Sequence, residues 1–171
     1  MIQKTRFYPR RVFLCLSKPS QVFVVLTLPS PLGAFFFRDS MPAFNQRSRD
    51  NLDQCHPDLQ RLFNDVVRHF DCSVICGHRG KAEQEAVFKA GKSKARFGES
   101  KHNHVPSMAV DVVPYPVDWQ DRERFAMFAG FVLGRAIELG VNVRWGGDWD
   151  RDTKTADETF LDMPHFELMD C

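Results

Sequence analysis

From Met41 onward, two hydrophobic periods take turns along the chain, and this alternation limits the fold more than any other feature. Leu59, Leu62, Phe63, Val66, Val67 and Phe70 recur at steps of three and four, the spacing of an amphipathic helix. Asn51 or Asp53 offers a cap for it, and its end is expected near His69. Residues 72–76 are short, β-branched and stopped by Gly77, as a strand would be. Residues 81–90 read as a second helix with Ala82, Ala86, Val87 and Ala90 on its apolar side, closed by Gly91. Residues 91–107 are polar and basic, a loop. A strand is expected over 109–113, ended by Pro114 and Pro116. The longest helix, over 121–139, shows Phe125, Phe128, Val132, Ala136 and Leu139 on one side and Gly140 as its stop. Residues 141–145 and 165–168 complete the set as short strands. Helices and strands in this order, with no repeated βαβ unit, predict an α+β domain: a small antiparallel sheet flanked by helices.

The first forty residues follow neither period. A basic start, MIQKTRFYPRR, leads into an uncharged run over 19–37 that is broken by Pro29, Pro31 and Gly33. Secretory signals have a basic start and an apolar centre, but here Phe35, Phe36 and Phe37 stand where polar mature sequence should begin. The prolines also disfavour a spanning helix, which needs about 20 apolar residues. Residues 1–40 are therefore expected to be an extension outside the domain, with 41–171 as the domain; export through residues 1–40 is the alternative.

Charge and cysteine content exclude some classes. A formal net charge of +1 lacks the basic excess that phosphate binding requires, and Lys4, Arg6, Arg10, Arg11, Lys18 and Arg38 all lie in the extension. No nucleic-acid partner is expected. The five cysteines are odd in number and lack paired C-x-x-C spacing, so they read as buried or free thiols.

Ligand-type residues gather beside strand ends. SKHNHVPSMAVD carries His102, His104 and Asp111, and DMPHFEL carries Asp162, His165 and Glu167. Hydrolytic zinc takes three protein ligands and keeps a position for water, and two imidazoles with one carboxylate form a usual set. A further carboxylate must move the water's proton, and Asp162 stands three residues before His165. From the residues alone, either His102 or His104 can complete the set with Asp111.

The order of these pieces is informative in itself. CHPDLQRLF, ICGHRGKAEQ, SKHN-x-x-PS-x-AVD-x-x-PYP, and WGGDW followed by D-x-P-H-F-E-L occur in succession. In this the chain resembles the D-alanyl-D-alanine metallopeptidase group, which shares its fold with lysostaphin-type peptidases and the hedgehog signalling domain. It looks most like phage L-alanyl-D-glutamate endopeptidases and the related D,D-carboxypeptidases, over residues 44–168. The resemblance implies one zinc ion held by His102, Asp111 and His165, with Asp162 as the catalytic carboxylate and Arg79 steadying the oxyanion. It further implies that Gln84, Ser100, Trp145 and Asp148 bind substrate or shape its groove, with Trp149 on the groove wall. Alternation with Phe166 on the last strand puts Glu167 on the same side as His165, where it can support that ligand. Many relatives space histidine and aspartate seven apart, whereas His102 and Asp111 are nine apart and His104 and Asp111 seven. The SKHN context favours His102, with an insertion at Val105-Pro106-Ser107.

The function so implied is a monomeric zinc peptidase that hydrolyses the L-alanyl-D-glutamate amide of the peptidoglycan stem peptide. It would act as a phage-type lysis enzyme, held in the host cytoplasm until released to the wall. The alternatives are a D,D-carboxypeptidase removing terminal D-alanine, and a zinc-containing binding module without catalysis.

Overall fold

The computed structural model describes residues 41–169; the expectations for residues 1–40, and those for Cys15 and Cys171, lie outside them. Four strands form one antiparallel sheet: β1 (Cys72–Cys76), β2 (Ala109–Pro114), β3 (Val143–Trp145) and β4 (His165–Leu168), in the order β1-β2-β4-β3. Four helices accompany it: α1 (Gln46–Leu52), α2 (Pro57–Val66), α3 (Lys81–Lys89) and α4 (Arg122–Leu139). Among the described residues no helix is long and apolar enough to cross a membrane.

Alternation along the central strands decides which face carries chemistry. On β4, Phe166 is fully buried among Phe63 and Phe128, with ring centroids 5.5 and 6.0 Å away. Its neighbours His165 and Glu167 therefore project to the opposite face of the sheet. On β2, Val110 and Val112 enter the same core and Asp111 takes the other side. Edge-to-face aromatic packing holds this core, and truncating Phe166 to alanine would cost about 3–5 kcal/mol. One face is thus apolar and covered by α2 and α4, while the other presents ligand-type side chains.

Helix α4 follows from its ends. The Asp121 carboxylate accepts the Arg124 N–H at 2.9 Å, Glu123 adds negative charge to the first turn, and Gly140 adopts φ 67° to close the last one. The expected first helix is α2, which starts later than expected, and α1 precedes it as a helix the sequence reading did not include. Asn45 caps α1 by accepting the Ser48 N–H, and His56 caps α2 through Nδ1, with Pro57 in the first turn. The break is tertiary: the His56 N–H donates to Ser107 O at 2.8 Å and the Ser107 N–H to Gln54 O at 2.9 Å. Helix α3 has the expected span, but Ala82, Ala86 and Ala90 are exposed and its fully buried residue is Gln84.

Candidate active site

Asp111 lies directly opposite His165 across β2 and β4, and opposite Cys76 across β1 and β2. The third contributor, His102, sits in a 3-10 turn over Lys101–Asn103 capped by Ser100 Oγ, which accepts the His102 N–H. The turn is tied to neighbouring chain by the Arg79 N–H donating to His102 O at 2.8 Å and by Asn103 Nδ2 donating to Arg79 O at 2.8 Å. His104, Val105 and Pro106 swing out to solvent, and the chain returns where the Met108 N–H meets Lys101 O at 3.0 Å. This excursion absorbs the nine-residue spacing. His102 is buried and His104 is exposed.

Three ligand-type atoms converge: His102 Nε2, His165 Nδ1 and Asp111 Oδ1 form a triangle with sides of 3.1, 3.1 and 3.2 Å. The outer ring nitrogens are already committed. His102 Nδ1 lies 2.7 Å from Gly77 O, which can only accept, so this nitrogen carries the proton. His165 Nε2 lies 3.1 Å from Glu167 Oε2 and donates to it. With both imidazoles neutral, three acceptor atoms then face one another with no proton between them, an arrangement that only a cation satisfies. Each side matches three donors held about 2.0–2.2 Å from a common centre, so the residues fit a zinc ion.

The electrostatics point the same way. Burial works against charge on His102, but the Asp111 carboxylate outweighs it and lifts the imidazole to about 10. Burial likewise opposes the Asp111 charge, yet His102 and His165 together hold that carboxyl far below its usual range. Both shifts mark a place that favours positive charge. Asp162 is different: burial first, and then repulsion from Asp111, raise its pKa above the usual carboxylate value.

Asp162, Arg79, Ser100 and Trp149 line the cavity of about 500 Å³ into which His102, Asp111 and His165 open. Gly146 sets the position of Asp162. A Cβ there would stand 2.5 Å from Asp162 O, and the Asp162 N–H donates to Gly146 O at 2.8 Å. Gly77 serves the other side in the same way, since a Cβ would meet Asn51 O at 2.0 Å. Arg79 Nη2 lies 3.2 Å from Asp111 Oδ2, and Nη1 donates to Gln84 Oε1 at 3.2 Å.

The remaining sequence candidates fall outside the cavity lining. Trp145 is buried and donates from Nε1 to Met163 O at 2.7 Å, holding the turn before His165. The Asp148 carboxylate accepts the N–H groups of Asp152 and Thr153 at 3.0 and 3.1 Å, ordering its own loop. Gln84 is buried beneath Arg79 rather than open to the cavity. Cys76, read from sequence only as a thiol, has ligand-type company in His102 and Asp111, all three with atoms within 4.8 Å of one another. Its place opposite Asp111 arises from an irregularity in β1 between Val74 and Cys76, which no sequence pattern announces.

With this geometry, comparison with known proteins is decisive. The model of the phage L-alanyl-D-glutamate peptidase family matches residues 41–169. The chain belongs to this family. It is 28% identical over 134 residues to the L-alanyl-D-glutamate peptidase of Escherichia phage T5, covering 74% of this chain and 97% of the phage protein. The crystal structure of the Serratia marcescens L-Ala D-Glu endopeptidase ChiX is similar with a TM-score of 0.61 and 34% identity, over 77% of this chain and 94% of that one. Family membership makes the chain a peptidase with the α+β architecture expected from its sequence.

Proposed function

We propose that this peptidase hydrolyses the L-alanyl-D-glutamate amide of peptidoglycan stem peptides, with one zinc ion held by His102 Nε2, Asp111 Oδ1 and His165 Nδ1. The observation that carries the reading is the triangle of three converging ligand-type atoms, 3.1 to 3.2 Å apart, while the outer ring nitrogens of the two histidines are engaged by Gly77 O and Glu167. A bound zinc ion would supply Lewis acidity toward water and the scissile carbonyl. The chain's own residues do the rest. Asp162, whose carboxyl is held above the usual carboxylate range by burial and by Asp111, takes a proton from the attacking water and delivers it to the departing amine. Arg79 is fixed between Asp111 and Gln84, and its guanidinium meets the negative charge that builds on the carbonyl oxygen. Ser100 holds the turn that presents His102, and Trp149, 5.5 Å from the His165 ring, walls the groove. As a phage-type lysis enzyme it would remain in the host cytoplasm until released to the wall.

Chelation followed by metal return tests this reading. Release of new amino groups from purified cell walls should cease when the metal is removed and return with about one equivalent of zinc. Full activity in protein verified to be metal-free would overturn it.

A further inference from the structure

Five cations line the cavity: Arg79, Lys92, Lys94, Lys101 and Arg144. Three are engaged by the protein. Arg79 pairs with Asp111 at 3.2 Å, Arg144 with Glu167 at 2.8 Å, and Lys101 Nζ donates to Leu168 O at 2.6 Å. Lys92 and Lys94 are exposed and meet no carboxylate among the described residues.

These two lysines are carried by a built loop. After Gly91 at φ 69°, the N–H groups of Lys92 and Ser93 turn back to Val87 O at 2.9 and 3.3 Å. Gln84, fully buried, donates from Nε2 to Ser93 Oγ at 3.1 Å and to Ala95 O at 2.6 Å, while its Oε1 accepts from Arg79. One side-chain amide therefore fixes both the lysine loop and the guanidinium beside Asp111. On the far side, Lys94 Nζ stands 4.5 Å over the ring of Phe160, which stacks on Trp149.

We propose that Lys92 and Lys94 form a carboxylate-recognising subsite for the residue that keeps the scissile nitrogen. This rests on the endopeptidase reading. When an L-alanyl-D-glutamyl amide is hydrolysed, the nitrogen leaves with glutamate. That residue has two carboxyl functions and the peptide continues through only one, so a free anion lies within a few bonds of the nitrogen. Asp162, which hands that nitrogen its proton, lines the same cavity as the two lysines. Asp111, Asp162, Glu167 and Glu99 also line it and would repel the anion. Arg79 is assigned to the carbonyl oxygen, and Arg144 and Lys101 are held by Glu167 and Leu168 O, which leaves Lys92 and Lys94 to counter that repulsion.

Three synthetic peptides test the subsite with the full, zinc-loaded chain. Each joins L-alanine, D-glutamate and L-lysine, the last through the glutamate side-chain carboxyl. In the first both remaining carboxyls are free; in the second the glutamate α-carboxyl is amidated; in the third the C-terminus is amidated. We expect kcat/KM for the first and third to exceed that for the second by about five- to tenfold, the scale of one or two partly solvated ion pairs. In the Lys92→Met/Lys94→Met double variant that ratio should fall to near one, with zinc content and melting temperature matching the unaltered protein. In the unaltered protein the preference should also shrink in molar salt. Equal rates on the first two peptides, a preference that survives in the double variant, or one that follows only the C-terminal carboxyl would overturn the subsite. If the unaltered protein cuts none of the three, the endopeptidase reading fails and the subsite with it, so the two failures are told apart.

Discussion

His165 Nε2 lies 3.1 Å from Oε2 of Glu167, two residues later on the same face of β4. This contact fixes the proton on the outer ring nitrogen and leaves Nδ1 free to face His102 and Asp111. Arg144 in turn pairs with Glu167 at 2.8 Å, so the carboxylate is held from both sides. Glu167→Gln should therefore weaken zinc binding by about 10- to 100-fold, the usual effect of losing such support. Competition against a chelator of known affinity measures it, and unchanged affinity would contradict the role.

The two candidate histidines should part sharply. His102 is buried in the triangle whereas His104 points to solvent from the returning loop. His102→Ala should lose zinc and activity, and His104→Ala should keep both. Metal analysis of the two purified variants decides, and the reverse result would exchange the assignment.

Asp162 lines the cavity but takes no part in the triangle. Asp162→Asn should retain zinc while kcat falls by roughly a hundredfold or more, the scale of a lost general base. Loss of the metal together with activity would make Asp162 a ligand.

Much of this arrangement is legible in the sequence, for identifiable reasons. Asp121 and Gly140 mark the ends of α4 because capping and left-handed closure are local chemistry. The alternation His165-Phe166-Glu167 declares two faces because a strand has a period of two. The start of α2 at Pro57 is not legible, since the chain before it is held by Ser107, distant in sequence, pairing with Gln54 and His56. Gln84 hides for the same reason: an amide in an otherwise polar helix looks solvent-facing until Ser93, Ala95 and Arg79 supply its partners. Trp145 and Asp148 sit in the recognisable WGGDW segment, yet their hydrogen bonds go to backbone and not to the cavity.

A surface pair gives a prediction whose sign follows from linkage. The hydrogen bond from Arg135 Nε, at 2.6 Å, lowers the pKa of Asp65 below 3.8, with burial opposing it, and joins α4 to α2. Because the folded carboxyl releases its proton more readily than the unfolded one, the pair stabilises the protein above the unfolded value. That contribution is lost as pH falls through the lowered folded value. Arg135→Met should lower the melting temperature at neutral pH, and the gap should close in acid below 3.8. A gap that widens in acid would contradict this.

Identifying the products of a cell-wall digest tests the central claim most directly. Mass spectrometry of purified muropeptides after treatment with the zinc-loaded protein should reveal peptides that begin with D-glutamate, together with fragments that end in L-alanine. Intact alanyl-glutamate linkages with loss of a single terminal alanine would contradict the account and make the protein a carboxypeptidase.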